Sequence, residues 1–100
     1  MGVYAAEETT GFAFETLTVD NTAGGVAMTA ATFQNATRAL ITVEAAEIRY
    51  TYDGTAPTTT VGHLASIGTR IELVGPANLT QFRAIRTGGT SGTLQITYER

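Results

Sequence analysis

Few side chains in this sequence can do chemistry by themselves. There is one histidine, His63, no cysteine, and serine only at Ser66 and Ser91. A nucleophile needs a base within reach and a third group to orient that base. His63 and Ser66 are close in sequence, but no residue in the pattern is marked as the orienting partner, so we expect no enzyme. His63 is then a polar strand or loop residue, or a contact to a partner. The carboxylates Asp20, Glu44, Glu47, Asp53 and Glu72 could supply an acid–base pair, yet any small β-domain carries such a set on its solvent face. Metal chemistry is poorly served: one imidazole and no thiolate leave only an oxygen-rich calcium loop, and Asp53-Gly54-Thr55 lacks the further acidic ligands such loops use. We expect no metal and no cofactor.

The chain of 100 residues is long enough for one domain with a small core. Hydrophobic residues make up 43% and charged residues 15%, against a usual charged share of about 25%. Surface so poor in charge suits contact with other proteins. The net charge of -3, the pI near 4.9 and the absence of lysine argue against nucleic-acid binding. The arginines, Arg38, Arg49, Arg70, Arg83, Arg86 and Arg100, are scattered. No apolar run is long enough for a membrane span and the N-terminus has no basic, signal-like region, so we expect a protein made and kept in a cytoplasm.

Positioning falls to strands. Residues 1–12 hold only Val3, Tyr4 and Phe12 for burial and are expected to form an N-terminal arm, with Tyr4 and Phe12 able to anchor it on a neighbouring subunit. Residues 13–100 form the domain. Phe14–Val19 is a strand with Leu17 and Val19 inward, ended by the turn residues from Asp20 to Gly25. Val26–Thr29 is a short second strand. Ala39–Glu44 alternates cleanly, and Ala45-Ala46 joins it as a tight hairpin to Glu47–Asp53, whose Ile48, Tyr50 and Tyr52 share a face. Asp53-Gly54 is a turn dipeptide, and Pro57 bars a central strand just beyond it. Short runs follow at Val61–Leu64 and Thr69–Val74, then Leu79–Arg86 as one strand and Thr93–Glu99 as the last. The expected fold is all-β: an antiparallel immunoglobulin-like sandwich of about seven strands.

Two surfaces could recognise something. Tyr50 and Tyr52 would offer a sugar-stacking platform if they faced outward, with Asp53 beside it. In the opposite phase, Leu40, Arg49, Arg83 and Ile85 could share an outer face, with Leu40 and Ile85 as the apolar centre of an interface and arginines at its rim. The interface candidates are therefore Tyr4, Phe12, Leu40, Arg83 and Ile85.

Two resemblances touch these residues. IRYTYDGTAPT, followed by Gly68, TRIEL and FRAIR, resembles the immunoglobulin-like domain at the C-terminus of chitobiase-type hexosaminidases. That domain is an accessory, so the resemblance implies a sandwich and no catalytic residue. The longer stretch from Arg38 to Arg100, RALITVEAAEIRYTYDG through TLQITYER, resembles small proteins encoded among the virion structural genes of tailed bacteriophages and prophages. The N-terminal third lies outside this match. It implies a virion component made in the bacterial host cytoplasm, most simply a capsid decoration protein bound to the major capsid protein and oligomeric in the particle. A neck, tail or fibre-base protein and a carbohydrate-binding accessory module are the alternatives.

Overall fold

The structure is a computed structural model and describes residues 9–100. Seven strands form: β1 (Gly11–Val19), β2 (Arg38–Glu44), β3 (Ile48–Thr51), β4 (His63–Ala65), β5 (Arg70–Val74), β6 (Arg83–Arg86) and β7 (Gly92–Glu99). One short helix, α1 (Pro76–Gln81), separates β5 from β6. The strands make two antiparallel sheets, one in the order β1-β7-β2-β5 and one in the order β4-β3-β6. This is the expected all-β sandwich, with the four-plus-three division of an immunoglobulin constant domain. The last strand departs from that pattern, because β7 lies between β1 and β2 in the larger sheet.

Alternation decides which side chains meet between the sheets. Leu94, Ile96 and Tyr98 of β7, Ala39, Ile41 and Val43 of β2, and Ile71 and Leu73 of β5 enter the core from one side. Ile48, Ala65, Phe82 and Ala84 enter from the other, and Tyr50 packs against them. Of the expected core, Ile48, Ile71, Leu73 and Phe82 are buried, and Tyr50 is partly buried at its edge.

Three connections differ from the sequence expectation. Ala45-Ala46 is not a hairpin turn, because β2 and β3 belong to different sheets. Ala45 has a φ of 70° and the Ala46 amide donates to the Glu44 carbonyl, which turns the chain across the sandwich. The run expected as one strand from Leu79 to Arg86 begins instead inside α1. Gly75, at a φ of 103°, breaks away from β5. Pro76 then opens the helix, where its missing N–H costs nothing, and Leu79 seals one end of the core. Between Val26 and Thr29 there is only an isolated bridge, from Val26 to Ala84. At the N-terminal boundary, Gly11 and Phe12 belong to β1, and Phe12 lies half-buried against the core with the Arg100 guanidinium 4.3 Å from its ring centre. Tyr4 lies outside the described residues.

Candidate functional site

β3 ends at Thr51, and the loop of residues 52–62 that follows lines a cleft in the surface. Tyr50 and His63 are register partners on β3 and β4, so their side chains share a face, with ring centres 5.3 Å apart. Tyr52 lies over both, 6.5 Å from Tyr50 and 6.0 Å from His63 in stacked geometry. Tyr50 in turn stacks on the buried Phe82 at 5.8 Å. The result is a graded aromatic column running from the core to Tyr52, which is 40% exposed. Burial, reinforced by Tyr52, raises the Tyr50 phenol above its ordinary value, so it stays protonated and neutral.

A cleft of about 460 Å³ opens on one side of Tyr52, lined by Thr51, Asp53, Thr55, Val61, Gly62 and His63. Asp53 accepts a hydrogen bond from the Thr55 amide at 3.0 Å, and this bond holds its carboxyl below the ordinary carboxylate range. Thr51 Oγ1 donates to the Thr55 carbonyl at 2.5 Å. These bonds fix the loop so that an ionised Asp53 stands beside an exposed aromatic ring, the pairing that suits a sugar or an organic cation. The Ser66 hydroxyl lies 3.4 Å from that of Thr69, while the His63 ring stacks on Tyr52 and lies tilted against Tyr50. Among the described residues no group of three or more His, Cys, Asp or Glu gathers as metal ligands do.

A second surface lies on the other sheet. The register places Phe14 of β1 opposite Thr97 of β7, Thr97 opposite Leu40 of β2, and Leu40 opposite Glu72 of β5, in one row across the outer face of the four-stranded sheet. Phe14 is 60% exposed and Leu40 is half-buried. Thr16, Gln95, Thr42 and Arg70 form the next row. Among the charges of this face, Arg38 Nη2 donates to Glu72 at 2.9 Å, Arg38 Nε lies 3.1 Å from Glu99, and Arg70 makes a looser contact of 3.8 Å with Glu72.

Leu40 and Ile85 therefore do not share a face. Leu40 belongs to β2 in the larger sheet and Ile85 to β6 in the smaller. Ile85 stands opposite Arg49 and is only 7% exposed, so it presents almost nothing to a partner. The period-two pattern identified their phase but carried no information about which sheet each strand joins. Arg83 is half-buried and donates to the Thr80 and Phe82 carbonyls at 3.1 and 2.8 Å, which ties the end of α1 to β6.

Two residues that the sequence reading passed over matter here. Phe14 is one. Its phase with Thr16 and Thr18, opposite Leu17 and Val19, was the signal that it points outward. Glu15 is the other: it accepts from the Tyr98 hydroxyl at 2.7 Å and from the Thr29 amide at 3.2 Å, and so holds the chain after β1 against the sheet. Burial and the Glu15 carboxylate push the Tyr98 phenol up, which keeps it the donor. No family model matches the chain, and no curated protein or solved structure matches it.

Proposed function

We propose that this chain is a non-enzymatic structural component of a tailed-phage virion, a decoration protein that binds across capsid subunits with the outer face of its four-stranded sheet. The observation that carries the reading is the Phe14–Thr97–Leu40 row. An exposed aromatic on the edge strand β1 and a half-buried leucine on the inner strand β2 share one row of a face on which Arg38 is paired with Glu72 and Glu99. Such a face loses little by being covered, because the groups desolvated are mainly apolar or hydroxyl. The resemblance of Arg38–Arg100 to phage virion proteins supports the same direction. A protein that binds the assembled shell more tightly than free subunits stabilises the shell by linkage.

The test is co-sedimentation of the purified protein with heads that lack it, followed by heating. Binding that delays heat disruption, and that Phe14→Ser weakens, is the expected result. No binding rejects the reading, and binding to tails alone moves the protein to the neck, tail or fibre base.

A second reading has its own observation, the exposed Tyr52 beside the ionised Asp53 in the 460 Å³ cleft. It is a glycan-binding accessory module. Binding on a glycan array that disappears in Tyr52→Ala would favour it over a purely structural role.

A further inference from the structure

Most strand edges here are closed to another strand. β4 has only three residues. β6 is bordered by the Asp20 and Val26 main chain, which bonds Arg86 and Ala84. β1 carries a register break between Gly11 and Ala13, the kind of bulge that turns an edge away from partners. β5 has none of these devices. It pairs with β2 in unbroken register, from Arg38 opposite Val74 to Thr42 opposite Arg70.

The hydrogen bonds fix which of its main-chain groups are open. The Val43 amide donates to the Thr69 carbonyl at one end of the ladder, and the Gly75 amide donates to the Thr37 carbonyl at the other. Thr69, Ile71, Leu73 and Gly75 thus address β2, and by the alternation of an antiparallel ladder Arg70, Glu72 and Val74 turn their N–H and C=O groups to the open side. Asn78 Nδ2 reaches the Val74 carbonyl from that side at 2.8 Å. Among the described residues, nothing bonds the open-side main chain of Arg70 or Glu72. A groove of about 340 Å³ borders this edge, with Tyr50 and Tyr52 as its far wall.

We propose that β5 pairs antiparallel with β5 of a second copy, about a two-fold axis through Ile71, so that the larger sheets of both copies run into one. Residues directly opposite across a ladder share a face, so each symmetric register is centred on one residue. Centring on Glu72 would set glutamate against glutamate, and centring on Arg70 would set arginine against arginine. Centring on Ile71 sets Arg70 opposite Glu72 of the second copy and Glu72 opposite its Arg70. The open amides and carbonyls of these same residues then meet in both directions, and the cross-strand charges attract. Arg70 is free to reach across, since its guanidinium lies 3.8 Å from Glu72 of its own chain, a loose contact, and its side chain is 65% exposed. The main-chain pairing uses the β5 edge, and the Arg70 and Glu72 side chains end the rows of the outer face assigned to the capsid, so the two surfaces adjoin at β5.

Sedimentation velocity on the full chain tests it. The wild type dimerises as concentration rises, while Arg70→Glu and Glu72→Arg each weaken the dimer by about tenfold or more, because each sets like charges opposite each other twice. Mixing the two variants restores dimers, now mixed ones, since every opposed pair is again complementary. Arg70→Glu leaves the Arg38–Glu72 pair in place, so an unchanged melting temperature in that variant separates lost association from lost fold. A chain that stays monomeric to about 1 mM overturns the proposal. So does a dimer that neither charge reversal weakens, or one that only Phe14→Ser dissolves.

Discussion

Outside the four-stranded sheet, exposed Phe14 and half-buried Thr97 and Leu40 stand in one row. Outside the three-stranded sheet, Arg49 reaches over to its own loop instead. Its Nε donates to the Thr59 carbonyl at 3.0 Å and its Nη1 to the Gly62 carbonyl at 2.8 Å, drawing residues 52–62 across the β3–β4 hairpin. Ile85, opposite Arg49, is buried on that side. One sheet thus covers itself with a loop and leaves its recess at the loop's end, where Tyr52 and His63 lie. Among the described residues no comparable loop bond crosses the other from Phe14 to Glu72. The two proposed readings accordingly rest on different sheets, the protein partner on the four-stranded one and the glycan at the recess.

The largest test of this contrast pairs two phenylalanines. Phe82 is fully buried beneath the three-stranded sheet and Phe14 is 60% exposed on the four-stranded one. Phe82→Ala should destabilise the fold by about 3–5 kcal/mol in urea unfolding, from lost transfer energy and the cavity left behind. Phe14→Ala should stay within about 0.5 kcal/mol of the wild type. A large loss at Phe14 would mean that its ring supports the sheet and is not held for a partner.

The junction between the sheets comes next. A Cβ on Gly92, where β7 begins, would stand 2.6 Å from Ile48 Cγ2 and 3.0 Å from the Ala46 carbonyl oxygen. Gly92→Ala should therefore cost about 1–3 kcal/mol by overpacking the point where β2 crosses to β3. Thermal melting checks it, and a neutral result would show that the arch at Ala45-Ala46 yields easily. Arg49→Ala should cost about 1 kcal/mol, since its bonds to the loop are partly exposed, and should raise amide exchange around Thr59 to Gly62. Exchange unchanged there would mean that the loop covers the sheet without this arginine.

These expectations rest on structure that the sequence disclosed unevenly. β2, β5 and β7 were legible because β-branched and large apolar residues alternate with polar ones through ALITVE, TRIELV and TLQITYE, and one face of each is buried. The arch after β2 was not, because alanine carries no mark of the positive φ that Ala45 adopts. Helix α1 was hidden by its length. Six residues show no helical period, and Gly75-Pro76 announces a turn as readily as a helix start. At the recess, alternation correctly put Tyr50 with Ile48, but it ran on through Tyr52. The strand stops at Thr51, so nothing obliges Tyr52 to be buried, and it stacks at the rim instead. Sheet membership is set by contacts distant in sequence, and this is why the shared face for Leu40 and Ile85 failed although both phases were right.

The smallest effect sharpens the recess. Asp53 is fully exposed, and its carboxyl lies below the ordinary value of 3.8 chiefly because the Thr55 amide donates to it, with smaller help from the Thr55 side chain. A carboxyl depressed in the folded state contributes stability that is fully present above its unfolded pKa and is lost as pH falls through its folded one. The contribution should therefore persist through neutral and mildly acidic solution and fade only below about 3.8. The readout is the Thr55 amide, whose NMR shift should follow the Asp53 titration. In Asp53→Asn the side-chain carbonyl can still accept that hydrogen bond but cannot titrate, so the turn should survive and the acid-dependent shift should vanish. If Tyr52 serves a cationic or glycan ligand, the same substitution separates the roles of Asp53. Binding lost with the turn intact would assign the carboxylate charge to the ligand, and binding retained would leave Asp53 as the residue that shapes the loop.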